Sequence, residues 1–140
     1  MKKVFADADY LIALLNPNDQ LHQRAKSASR GLGQARIVTS QMVLTEVLAF
    51  YAESGSNLRD AAADVALRLG NDPNATVVPQ TSLLFDEALS LYRQHKDKAW
   101  SLTDCASFKI MRETGITEAL SNDHHFEQAG FTALLRRAQP

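Results

Sequence analysis

The stretch Val4-Phe5-Ala6-Asp7-Ala8-Asp9 constrains the fold of this chain more than any other. An apolar run too short for a helix, preceded by Lys2-Lys3 and ending on an acid, reads as a strand over residues 3–6 that is buried on both faces. Residues 10–15 are apolar enough to form a helix packed back on that strand, and Asn16-Pro17-Asn18 stops it. A strand covered on both sides implies a parallel sheet between helical layers. In such sheets the carboxyl ends of the strands face the crevice where ligands bind. Asp7 stands at that end. The plain alternative is that Asp7 or Asp9 only caps the following helix, accepting its free N–H groups.

The rest of the chain repeats the alternation. Residues 20–32 place Leu21, Ala25, Ala28 and Leu32 at helical spacing, and the β-branched run Ile37-Val38-Thr39 predicts a second strand over residues 36–39. Ser40 offers a cap for a third helix running from Gln41 to about Glu53. Residues 58–69 predict a fourth helix, residues 75–78 a third strand, and residues 82–95 a fifth helix with Leu84, Ala88, Leu91 and Tyr92 facing inward. A further helix reaches about Glu113, and strands are expected over residues 118–121 and 131–134. The expectation is one α/β domain over residues 1–140, a three-layer α/β/α sandwich around a mainly parallel sheet of about five strands.

Three more acids fall where this layout would expose them to the crevice. Glu46 has Met42, Val43, Ala49 and Phe50 as its helical neighbours, so it is expected to project from the middle of the apolar stripe, where a solvated glutamate would not sit. Snorkelling to water or pairing with a base is its alternative role. Ser101 and Asp104 have capping-box spacing, which puts Asp104 in the first turn of its helix, able to cap or to point past the helix end. Asp123 follows a strand directly and can cap the turn begun by His124 and His125. Adjacent histidines are expected to point apart, which argues against a histidine metal site. If Asp7, Glu46, Asp104 and Asp123 converge, their mutual repulsion calls for a hard divalent cation, and all-oxygen ligands favour Mg²⁺ or Mn²⁺ over zinc.

Bulk properties exclude several classes. Fifteen basic and sixteen acidic residues leave a net charge of −1, so nucleic acid can be met only through a local basic patch. A single cysteine, Cys105, allows no intramolecular disulfide and is expected to be a small core residue, in keeping with a cytoplasmic protein. No apolar run approaches the roughly 20 residues needed to span a bilayer, so no membrane is expected. Trp100 is expected to pack rather than stack on a base.

Taken in order, Val4-Phe5-Ala6-Asp7, Thr45-Glu46, Ser101-Leu102-Thr103-Asp104 and Ser121-Asn122-Asp123-His124-His125-Phe126 resemble the signature of the PIN-domain family across nearly the whole chain. That family includes Mg²⁺-dependent ribonucleases, notably the VapC-like toxins of toxin–antitoxin pairs. The resemblance implies that Asp7, Glu46, Asp104 and Asp123 form a catalytic metal site hydrolysing phosphodiester bonds in RNA. It also implies an antitoxin protein that masks the crevice, and a homodimer, for which apolar stretches such as residues 58–69 could serve. Asp9 departs from the family pattern, which commonly has Ser, Thr or Asn there, and is a secondary candidate ligand. Lys2, Arg24, Arg93, Lys96, Lys98 and Arg136 are candidate phosphate contacts.

Two rivals remain at this level. Asp7-Ala8-Asp9 has the D-x-D spacing of haloacid-dehalogenase-like phosphatases, with Asp7 as nucleophile and Asp9 as general acid, but that leaves Glu46 unexplained. A catalytically silent PIN-like module that binds RNA or protein is the other. Metal-dependent stabilisation separates it from a nuclease.

Overall fold

The computed structural model describes residues 1–137 as β1 (Lys2–Ala6), α1 (Ala8–Leu15), α2 (His22–Gly31), β2 (Ala35–Ser40), α3 (Gln41–Phe50), α4 (Ser56–Asn71), β3 (Ala75–Val78), α5 (Ser82–Gln94), α6 (Leu102–Thr114), β4 (Glu118–Leu120), α7 (His124–Gln128), β5 (Thr132–Ala133) and α8 (Leu134–Arg137). The expected span of 1–140 reaches into residues 138–140, which lie outside the described residues. All pairings are parallel, in the order β3-β2-β1-β4-β5. Helices flank this sheet, giving the expected α/β/α sandwich.

The first strand lies at the centre of the sheet, and its apolar half is sealed on both faces. Val4, Phe5 and Ala6 are fully buried, and β1 pairs with β2 from Lys2↔Ala35 to Phe5↔Val38 and with β4 at Phe5↔Ala119 and Ala6↔Leu120. Phe5, Phe108 and Phe126 continue the core, with the Phe108 ring edge-on to Phe126 at 4.9 Å and to Trp100 at 5.0 Å. Trp100 packs as expected, its indole N–H donating to Gln128 Oε1 at 2.9 Å. Cys105 is fully buried and its thiol is pushed up to about 11 by burial, so it is an unreactive core residue.

Caps set the helix starts. Ser40 accepts from the Val43 N–H and Thr81 from the Leu84 N–H. Ser101 and Asp104 form the full reciprocal box at the start of α6, which Gly115 closes at φ 70°.

Three expectations need correction. The last strand covers only residues 132–133, not 131–134, because Leu134 and Leu135 satisfy their apolar demand as a helical turn. The Leu135 N–H donates to Ser121 O at 3.1 Å rather than extending the ladder. Tyr92 faces outward, 50% exposed, since Leu84 and Ala88 are the fully seated residues of α5. Glu46 lies beside the buried stripe of α3, not in its middle. Met42, Val43, Leu44, Val47 and, just past the helix, Tyr51 are buried, whereas Thr45, Glu46, Ala49 and Phe50 are exposed, because the covered line of the helix follows Val43, Val47 and Tyr51.

Candidate functional site

The carboxyl ends of β1 and β4 are neighbours, and the acids that follow them meet there. Asp7 occupies the cap position of α1 but makes no side-chain cap bond. Its backbone N–H donates to Leu120 O at 3.1 Å, and its Oδ2 accepts from the Ser121 hydroxyl at 2.8 Å. In the first turn of α1, Asp9 Oδ2 accepts from the Asn122 N–H at 2.8 Å and lies 3.5 Å from the same hydroxyl. Asp9 Oδ1 is buried with no hydrogen-bond partner. Ser121 Oγ in turn accepts from the Asp123 N–H at 3.0 Å, so this one hydroxyl ties three acidic residues to the end of β4.

Asp104 reaches the same place from α6. The capping box fixes it, with the Ser101 N–H donating to Oδ2 at 3.1 Å, so capping and exposure to the crevice coexist in one side chain. Asp123 caps α7 through the His125 N–H at 2.9 Å. His125 Nδ1 then lies 3.1 Å from both Asp104 Oδ2 and Asp123 Oδ1. The paired histidines do not point apart as expected. Their rings are 4.5 Å from one another because the Nδ1 atoms of both turn toward Asp123 Oδ1, and Asp123, His124 and His125 bring ligand-capable atoms within 4.8 Å. His125 is nevertheless committed to two carboxylates, which makes it a linker of acids.

Electrostatics show how closely the acids share space. Burial holds the Asp7 carboxyl well above the usual carboxylate range, with the charges of Asp9 and Asp104 adding to the rise. Burial also pushes Asp9 up to about 6, helped by Asp123. Asp104 is raised by burial and then by Asp123. Glu46, although at an exposed helix position, is raised by partial desolvation and by Asp104 and Asp123, with Thr103 opposing. The structure therefore brings together all four expected acids, and Asp9, the secondary candidate, lies among them. Among the described residues none of the five forms an ion pair with lysine or arginine. An orphaned buried carboxylate oxygen, mutual repulsion and an all-oxygen donor set fit a hard divalent cation.

The candidate phosphate contacts scatter. Lys2 pairs with Glu118 at the opposite end of the sheet, and Arg24 lies on α2. Arg136 donates to Asn122 O at 3.3 Å and pairs with Glu127 at 2.8 Å, beside the acids. Arg93, Lys96 and Lys98 line a groove with Ser101. Ser121 and His125 hold the acids in place, contacts that composition and periodicity did not give. Their signal lay in position, since both belong to the short stretch that follows β4.

A family model described as PIN domain matches residues 4–132. The 23S rRNA-specific endonuclease VapC20 of Mycobacterium tuberculosis, from strains CDC 1551 / Oshkosh and ATCC 25618 / H37Rv, is 30% identical over 128 residues, 91% of this chain and 95% of the relative. A crystal structure of that organism's VapC20, titled a Sarcin-Ricin loop cleaving toxin, superposes with a TM-score of 0.81 at 28% identity, covering 92% of this chain and 96% of the other. No helix among the described residues is long and apolar enough to cross a membrane.

Proposed function

This chain belongs to the PIN-domain family, and from that membership we propose that it is a metal-dependent endoribonuclease of the VapC-like toxin type. The observation that carries the reading is the convergence of Asp7, Asp104 and Asp123, with Glu46 at the rim, on the carboxyl end of one parallel sheet. Their oxygens would hold Mg²⁺ or Mn²⁺, with Asp9 as a further oxygen donor. When bound, a divalent ion lowers the pKa of its water and offsets negative charge on the phosphate and the leaving oxygen.

The chain's own groups prepare that site. Ser121 orients Asp7, the Ser101 N–H orients Asp104, and the His125 N–H orients Asp123, so three carboxylates are held by hydrogen bonds before substrate arrives. His125 Nδ1 keeps Asp104 and Asp123 at a fixed separation. Glu46, more exposed than these, is placed to hold a water at the mouth of the crevice. No side-chain nucleophile is required. The phosphatase alternative has no support from the family match, which covers residues 4–132, and it leaves the approach of Glu46 to Asp104 and Asp123 without a role.

Ribosomal RNA is the substrate class that the similar endonuclease's name brings forward, and it is the first to test. The reading extends to a single nuclease domain working in the cytoplasm as a homodimer, with an antitoxin protein covering the acidic crevice. The test is incubation of purified protein with ribosomal RNA and with a mixed single-stranded RNA under Mg²⁺, Mn²⁺ or EDTA, beside Asp7→Asn and Asp104→Asn. Cleavage that needs metal and is lost in both variants is expected. Metal-independent cleavage, or full activity in either variant, overturns the assignment.

A further inference from the structure

The sequence requires that any nucleic-acid contact be local, and one surface meets that requirement next to the acids. The segment from the last turn of α5 to the start of α6 carries Tyr92, Arg93, His95, Lys96 and Lys98, and these side chains line a groove of about 490 Å³ that ends at Trp100 and Ser101. Three cations and no carboxylate line it. Its inner end is one hydrogen bond from the candidate centre, since the Ser101 N–H donates to Asp104 Oδ2 at 3.1 Å. A second groove of about 500 Å³ along α5 shares Arg93 and Lys96, so the two meet at those cations.

Counter-charges are few. Asp97 takes Lys98 at 3.2 Å, and Asp86 lines the outer groove. Among the described residues Arg93 and Lys96 enter no ion pair. Their platform is tied down: Lys109 of α6 pairs with Glu87 of α5 at 3.2 Å, and the His95 ring lies 4.6 Å from the buried Trp100. Tyr92, turned outward beside the cations, is half exposed and lines the groove with them.

Resting on the nuclease reading, we infer that this groove is the track for the RNA strand on one side of the scissile bond, with Arg93 and Lys96 on successive phosphates and Tyr92 beneath a base. Cations spaced along a groove with an aromatic face match the alternating phosphate and base of a single strand. The placement also answers a physical problem. Five acids at the cutting point repel a polyanion, and a cationic run directly beside them holds the strand in place across that repulsion.

The test measures binding of a fluorescently labelled 12-nucleotide single-stranded RNA in EDTA over a range of salt, for the intact chain, for Arg93→Gln/Lys96→Gln, for Tyr92→Leu, and for Lys26→Gln on α2 as the control. The double variant is expected to bind about tenfold more weakly, with the slope of log affinity against log salt reduced by about 1.4, the value for two phosphates of a single strand. Tyr92→Leu is expected to weaken binding about fivefold with the slope unchanged, because stacking releases no counterions. Lys26→Gln is expected to match the intact chain. An unchanged slope and affinity in the double variant, in a chain that still cleaves RNA with metal, overturns the track and leaves the nuclease standing. Failure of the intact chain both to bind and to cleave overturns the two together.

Discussion

The two ends of β1 and β4 handle charge in opposite ways. At their amino ends Lys2 of β1 pairs with Glu118 of β4 in an exposed bridge. At their carboxyl ends the same strands deliver Asp7 and, just beyond, Ser121 and Asp123, where carboxylates gather without a lysine or arginine partner. One end is electrostatically complete. The other carries an excess of negative charge held in place by neutral donors, namely Ser121, the Ser101 N–H, the Asn122 N–H and the His125 N–H. Repulsion of that kind opposes folding, and its persistence in one corner of a well-packed chain is the feature on which the proposed cation site rests.

The sharpest way to break the contrast is to neutralise one charge at each end. Asp7→Asn or Asp104→Asn is expected to lower metal-dependent RNA cleavage at least about a thousandfold, while Glu118→Gln leaves it intact, as read by cleavage rate at saturating Mg²⁺. Supplying the missing cation should relieve the strained end. At a Mg²⁺ or Mn²⁺ concentration about 100 times its dissociation constant, stability should rise by about 2.7 kcal/mol, or roughly 8 °C in Tm, and Asp7→Asn should abolish most of that gain.

Proton uptake gives a third test, and its sign follows from the raised carboxyls. Asp9 titrates at about 6 in the folded chain against 3.8 for the free side chain, so the folded state holds a proton that the unfolded state has already lost. Stability from this group is fully present below about pH 4 and is lost as pH rises through about 6. The loss is about 2 kcal/mol in EDTA, read as the difference between intact chain and Asp9→Asn in urea unfolding at pH 4.5 and pH 7. His125→Ala, which removes the link between Asp104 and Asp123, is expected to weaken Mn²⁺ binding about tenfold in calorimetry. The smallest effect belongs to the complete end: Lys2→Gln should change unfolding free energy by less than about 0.5 kcal/mol.

The layered fold was legible because burial on both faces leaves a plain mark on a strand. Val4-Phe5-Ala6 and Ile37-Val38 are unbroken apolar runs, and each lies where expected. Capping chemistry was equally local, so Ser101 and Asp104 declared their box by spacing alone. Glu46 was misplaced because apolar neighbours alone do not tell which side of a helix is covered. The buried line of α3 runs through Val43, Val47 and Tyr51, Ala49 and Phe50 lie off it, and an acid taken to be central is at the border. The Asp9, Ser121 and Asn122 contacts could not be read from spacing, since they join residues more than a hundred positions apart. The strand order that brings those residues together is a property of the sheet, not of either segment.

That separation also orders events in time. Asp7 is made well before the hydroxyl that orients it, which lies 114 positions later, and Asp123 and His125 follow that hydroxyl. β1 cannot acquire its neighbour β4, and the crevice cannot assemble, until translation has passed His125. A nascent fragment of this protein therefore has no cutting centre. For a chain with the proposed nuclease centre, the topology acts as a delay, since the centre cannot form on a nascent copy until residues 121–125 have been made.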